Sequence, residues 1–254
     1  MRPDVYMFTD QIVNVVFIGH PWSNEFVLVD TGMPKRAEEI IQAAKDRFGE
    51  GARATAIILT HGHFDHVGAV IELVEEWDAP VYAHPEEFPY LTGQTSYIRP
   101  DSVAEEHGLV AKMSVFFPTD PINLNDHLHV LPADGSVPYL SDFRWLHVPG
   151  HSVGQIALFR PHDGLLLSVD AFVTTRQEDL YQVLTQKVEI SGPPHYLTTD
   201  WKAAKASVLK LQQLAPEYVI AGHGRPVEGA ELKEGLDRLV AKWEELALPD
   251  SEKK

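Results

Sequence analysis

Four apolar runs of strand length in this chain each stop at a histidine or an aspartate, and that repeated ending constrains the fold more than any other feature. Ala56-Ile57-Ile58-Leu59 leads into Thr60-His61-Gly62-His63-Phe64-Asp65-His66, and Trp145-Leu146-His147-Val148 into Pro149-Gly150-His151. Leu165-Leu166-Leu167-Ser168-Val169 ends at Asp170, and Tyr218-Val219-Ile220-Ala221 at Gly222-His223. Reactive side chains commonly sit on loops that a rigid sheet positions. Four strand ends that offer donors therefore predict one shared site. Glycine beside His151 and His223 permits the tight turns this needs.

The first ending packs three imidazoles and one carboxylate into six positions, His61 to His66. Imidazole and carboxylate are ligands for zinc and its first-row neighbours. The chain has no cysteine, so nitrogen and oxygen alone must hold any metal here. Singly, each residue has a plainer role, and Asp65 reads equally as the cap of the helix that follows it.

The rest of the chain alternates strand and helix. Phe26 to Val29 reads as a buried strand followed by the turn Asp30-Thr31-Gly32, and Ala37, Ile40, Ile41 and Ala44 recur at helical spacing. Val67, Val70, Ile71 and Val74 predict a helix as far as Trp77, ended by Ala79-Pro80, with a short strand at Val81 to Ala83. Strands are expected at His127 to Leu131, Phe143 to Val148, Gln155 to Phe159, Leu165 to Val169 and Tyr218 to Ala221. Helices are expected at Trp201 to Leu214 and Glu231 to Leu246, the latter with a solvated charged face. Two irregular, aromatic segments, about 85–121 with one helix near Ser102 to Met113, and 174–200, read as pocket walls. Their aromatics, Tyr97 included, are mostly core material.

With 254 residues, 44% of them apolar, the chain can bury a large core, and one domain over 1–254 is expected. A formal charge of −16, from 21 basic and 37 acidic residues, argues against a nucleic-acid partner and fits a small-molecule substrate. The start reads as an edge strand and not as a signal peptide. No apolar run approaches the roughly 18 residues that span a bilayer. A cytoplasmic protein with no membrane partner is expected.

At this point the sequence resembles the metallo-β-lactamase superfamily, especially its glyoxalase II-like and lactonase-like branches. The HxHxDH signature stands as His61, His63, Asp65 and His66, and the later ligands fall on His151, Asp170 and His223. The resemblance covers nearly the whole chain and implies an α/β fold, a four-layer αββα sandwich. It also implies two Zn2+ ions, with iron or manganese as alternatives. His61, His63 and His151 would hold one ion, Asp65, His66 and His223 the other, and Asp170 both. Two such ions share a water, lower its pKa and polarise a carbonyl. Asp65 and Asp170 are then the catalytic carboxylates, Asp65 orienting the hydroxide and Asp170 bridging. Ser152 and Ser168 are read as local hydrogen bonders. Asp30 resembles the family's carboxylate behind the metal loop, and reads equally as a turn former.

The function expected is hydrolysis of an ester, lactone or thioester of a small molecule. Glutathione-thioester hydrolysis of the glyoxalase II type and iron-dependent persulfide dioxygenase chemistry are the alternatives. Lactonase-like members often carry a tyrosine three residues after the bridging aspartate, where this chain has Val173. Antibiotic hydrolysis is less favoured, for want of a cysteine ligand and an export signal. His84, Tyr181, His195 and Tyr196 are the candidate substrate-binding residues.

Overall fold

The computed structural model describes residues 2–97, 122–176 and 187–253. It divides into two compact units, one formed by the chain up to Tyr97 and a stretch ending at Ser141, the other by the chain from Asp142 onward.

In the first unit, Val13–Ile18 (β2) is buried at every position and has a partner strand on each side. Val5–Asp10 (β1) pairs with it antiparallel, as does Glu25–Val29 (β3). The one polar residue of β2, Asn14, accepts the hydroxyl of Thr9 opposite it at 2.8 Å, so its burial leaves that oxygen satisfied. The single edge strand expected at the start is therefore a hairpin. Its outer arm, β1, is the edge, and the more apolar arm is interior.

Beyond β3 the sheet turns parallel, through Arg53–Ile58 (β4), Val81–Ala83 (β5) and Leu128–Val130 (β6), in the order β1-β2-β3-β4-β5-β6. Parallel neighbours need a crossover. Ala37–Phe48 (α1) supplies the first, burying Ile40, Ala44 and Phe48 against Phe17, Phe26 and Leu28. Phe64–Val67 (α2) and Val70–Trp77 (α3) supply the second. The periodicity from Val67 to Trp77 predicts one helix, and the structure breaks it at Gly68-Ala69. There the Gly68 N–H leaves the helical ladder for the Gly32 carbonyl, at 2.9 Å. Asp78, left-handed at φ 48°, ends α3 just ahead of Pro80. Phe88–Leu91 (α4) follows β5 through a 3-10 turn, so this part of the irregular segment is helical. The helix expected at Ser102 to Met113 lies outside the described residues.

The second sheet runs Val227–Glu228 (β12), Tyr218–Ala221 (β11), Leu165–Val169 (β10), Ile156–Arg160 (β9), Leu140–His147 (β8) and Ser136–Val137 (β7), in that order. β8 and β9 are antiparallel, as are β9 and β10, whereas β10 and β11 are parallel with Trp201–Gln212 (α5) between them in sequence. β8, β10 and β11 therefore point the same way, and the residues that follow each emerge at one end of the sheet. The predicted helix over Glu231 to Leu246 is two, Gly229–Ala241 (α6) and Trp243–Leu246 (α7), broken at the non-helical Lys242. Leu232, Leu236, Leu239 and Trp243 all join the core of this unit. Among the described residues no helix is long and apolar enough to cross a membrane.

Candidate metal centre

β3 and β4 are parallel neighbours, so Asp30 after one and Thr60 after the other leave the sheet side by side. Asp30 turns the chain at φ 61° and receives three donors. Its carboxylate accepts the Thr60 N–H at 2.8 Å and the Thr60 hydroxyl at 2.7 Å, and faces His66 Nδ1 at 2.7 Å. The His66 proton is thereby placed on Nδ1 and its lone pair on Nε2. Thr60 has spent its only proton on Asp30, so its oxygen accepts from His61 Nδ1, 3.1 Å away. His61 likewise presents Nε2. Asp30 thus both forms the turn and braces Thr60 and His66.

His61, His63, Asp65 and His66 are all buried. The His61 ring lies 4.5 Å from that of His63, edge to face, and 4.2 Å from that of His66. Thr31 donates its N–H and its hydroxyl to the His66 carbonyl, at 2.7 and 2.9 Å, which fixes α2 from outside. Asp65 lies within α2, whose N-cap is His63, so the plain reading of Asp65 as a helix cap is not the one realised.

In the second unit Asp170 stands between two histidines. One of its oxygens, Oδ2, is 3.3 Å from His151 Nε2 and 3.3 Å from His223 Nε2. His151 Nδ1 lies 3.0 Å from the hydroxyl of Thr198, whose own proton goes to the Pro194 carbonyl at 2.6 Å. Thr198 is therefore the acceptor, and the His151 lone pair is on Nε2, facing the carboxylate. Two electron-rich atoms directed at each other call for positive charge between them. A proton or a cation can supply it, and this donor set of imidazole nitrogen and carboxylate oxygen fits a divalent cation. Gly224 at φ 95° lets the chain pass Thr174, where an added Cβ would lie 2.4 Å from the hydroxyl. Val169, left-handed at φ 50° and buried, marks a register shift between β10 and β11 one residue ahead of Asp170. The Ser168 hydroxyl donates to the Phe172 carbonyl at 3.1 Å, the local role expected of it.

The profile of the metallo-beta-lactamase superfamily matches residues 8–223, from β1 to the last of these histidines. The chain belongs to the metallo-β-lactamase superfamily. Its fold is that of this superfamily, an α/β sandwich of two mixed sheets with flanking helices, as the sequence predicts. A probable metallo-hydrolase of Bacillus subtilis (strain 168), YflN, is 48% identical over 239 residues, 93% of this chain and 89% of the relative. A hydroxyacylglutathione hydrolase of Methylobacillus flagellatus is 29% identical over 157 residues, 62% of this chain and 46% of its own length. Among solved structures, TTHA1623 in a di-iron-bound form superposes with a TM-score of 0.60 at 29% identity, covering 91% of this chain and 96% of that one. The superfamily is one of metallo-hydrolases, and the buried His and Asp clusters give this member candidate metal ligands.

Two residues that brace these candidate ligands, one in each unit, carry no signal in the sequence. Glu87, fully buried, accepts the Gly62 N–H at 2.9 Å and the hydroxyl of Tyr97. Thr198 lies 47 residues from the imidazole it orients. Of the candidate substrate residues, His84 accepts the Glu86 N–H at 3.3 Å and caps a 3-10 turn, and its side chain is 12% exposed. His195 is half-buried, edge-on to Trp201 at 5.3 Å. Tyr181 and the side chain of Tyr196 lie outside the described residues.

Proposed function

We propose that this chain is a dinuclear metal-dependent hydrolase, working as one domain over residues 1–254 on the ester, lactone or thioester carbonyl of a small molecule. The observation that carries the proposal is the set of orientations built around the histidines. Asp30, Thr60 and Thr198 occupy the Nδ1 side of His66, His61 and His151, which leaves Nε2 as the donor in each. In this reading His61, His63 and His151 would hold one ion, Asp65, His66 and His223 the second, with Asp170 available to both. Zinc is the metal proposed, with iron or manganese as alternatives. Such a pair supplies an acidified water and a polarised carbonyl at neutral pH.

The side chains do the rest. The Asp65 carboxylate, 3.9 Å from His66 Nε2, orients the attacking water towards the carbonyl carbon and accepts its proton. The water oxygen bonds to the carbonyl carbon, the bond from that carbon to the alkoxy oxygen or thioester sulfur breaks, and the departing atom takes the proton from Asp65, giving a carboxylic acid and an alcohol or thiol, which in a lactone remain one molecule. His84, Tyr181, His195 and Tyr196 are proposed to face the substrate. The charge of −16 speaks for a small molecule over nucleic acid. Likeness to a hydroxyacylglutathione hydrolase supports a glutathione thioester as a second reading. Likeness to a di-iron-bound structure supports iron as the metal, and iron-dependent persulfide oxidation is kept as a third reading.

The test joins metal quantification to a panel of lactones, aryl esters and a glutathione thioester. Asp170→Ala and His151→Ala are expected to lower hydrolysis by on the order of 10³-fold and to reduce metal content. Full activity in metal-free protein, or in Asp170→Ala, would overturn the mechanism. Oxygen consumption with a persulfide and no hydrolysis would favour the iron reading.

A further inference from the structure

We propose that Glu87 and Tyr97 form a positioning clamp on the ligand loop, fixing the Gly62 peptide so that His61 and His63 are presented as one pre-set pair. The proposal rests on the reading of those histidines as metal ligands.

Gly62 is the weak point of the loop. It lies after β4 and before α2, in neither element, and glycine has more backbone freedom to lose than any other residue. A loose Gly62 would let the two flanking imidazoles move independently. The Gly62 N–H is anchored by a carboxylate 25 residues away, at 2.9 Å, and lies 3.2 Å from the Tyr97 hydroxyl. Glu87 is fully buried. Burying a carboxylate costs several kcal/mol unless donors compensate it, and a backbone N–H and a phenol O–H are among those it receives here. Hydrogen bonds to a charged acceptor are roughly twice as strong as neutral ones, which suits an anchor.

Tyr97 completes the clamp. Its ring meets the His63 ring at 4.5 Å and 62°, and stacks on Tyr90 at 3.8 Å and 8°. Tyr90 belongs to α4, and Glu87 immediately precedes that helix. Because β5 is the parallel neighbour of β4, this segment leaves the sheet at the same edge as the ligand loop. The fit around Gly62 is tight. A Cβ there would meet the Tyr97 hydroxyl at 3.0 Å and Glu87 Oε2 at 3.2 Å.

The experiment strips the full chain of metal and titrates Zn2+ back in competition with a chromophoric chelator. Wild type, Glu87→Ala, Glu87→Gln and Tyr97→Phe are compared, with thermal unfolding of each stripped protein as the folding control. Glutamine keeps an oxygen acceptor for the Gly62 N–H, and phenylalanine keeps the ring while removing the donor. Expected are a loss of about 10–100-fold in affinity for one of the two ions in Glu87→Ala, and a loss of several-fold for the same ion in Tyr97→Phe. Rescue to within about threefold of wild type is expected in Glu87→Gln, with the second ion unaffected throughout. A wild-type affinity in both Glu87→Ala and Tyr97→Phe would overturn the clamp. Equal damage in Glu87→Gln and Glu87→Ala would replace positioning by charge, and equal loss at both ions would replace it by general disorder. If Glu87→Ala does not fold, Tyr97→Phe decides. A wild type that binds no zinc would instead overturn the metal reading beneath the proposal.

Discussion

At the scale of single residues, Asp30 governs more of the centre than its one carboxylate suggests. It accepts from Thr60 twice and faces His66 Nδ1, and through the Thr60 hydroxyl it also sets the orientation of His61. Asp30→Ala is expected to weaken metal binding by about 10–100-fold. Asp30→Asn should do no better, because its amide nitrogen would have to face Thr60 or His66, both donors. Chelator-competition titration checks this, and a wild-type affinity in Asp30→Asn would contradict the proton placement. The candidate ligands were legible because few residue types bind metals and these cluster after apolar runs. Glu87 and Thr198 were not, since a buried acceptor 25 or 47 residues from its donor leaves no period or spacing. In sequence, Glu86-Glu87 looks like any exposed acidic pair.

Among elements, strands and helices followed from apolar runs and helical spacing, whereas breaks and pairings depended on contacts far along the chain. The pattern from Val67 to Trp77 continues through Gly68, yet the helix does not. A Cβ at Gly68 would lie 2.2 Å from the Pro34 nitrogen and 2.6 Å from the Gly32 oxygen, backbone atoms that cannot swing aside. Gly68→Ala must therefore displace α2, with its Asp65 and His66. A loss of about 1–3 kcal/mol in stability, read from the urea midpoint, and a lower metal content are expected. An unchanged midpoint would mean that the 32–34 turn yields more easily than its geometry indicates. The same limit applies to the N-terminal hairpin. An apolar run at Val13 to Ile18 reveals a strand but not that β1 lies outside it.

For the whole molecule, the proposed ions should act as ligands of the folded state. A ligand at about 100 times its dissociation constant adds about 2.7 kcal/mol, which for a chain of this size corresponds to about 5–10 °C in melting temperature. Melting in the presence of a strong chelator is expected to fall by that amount and to recover when zinc is restored. Identical melts with and without chelator would show that no ion contributes to the fold. Superfamily, and with it the metallo-hydrolase class, was legible at this scale from seven residues in order. Substrate choice was not, because a pocket wall can be made from almost any apolar residue and a sheet edge with metal ligands serves many substrates.

Val169 bears on how such a chain can change. A β-branched residue held left-handed costs of the order of 1–3 kcal/mol, and burying its side chain returns a similar amount, about 1.5–3 kcal/mol. Glycine at this position would relax the backbone and empty the core, and a larger residue would do the reverse. Neither step improves the protein, so drift at 169 is pinned from two sides. A change of residue there is therefore expected to disturb the turn that carries Asp170.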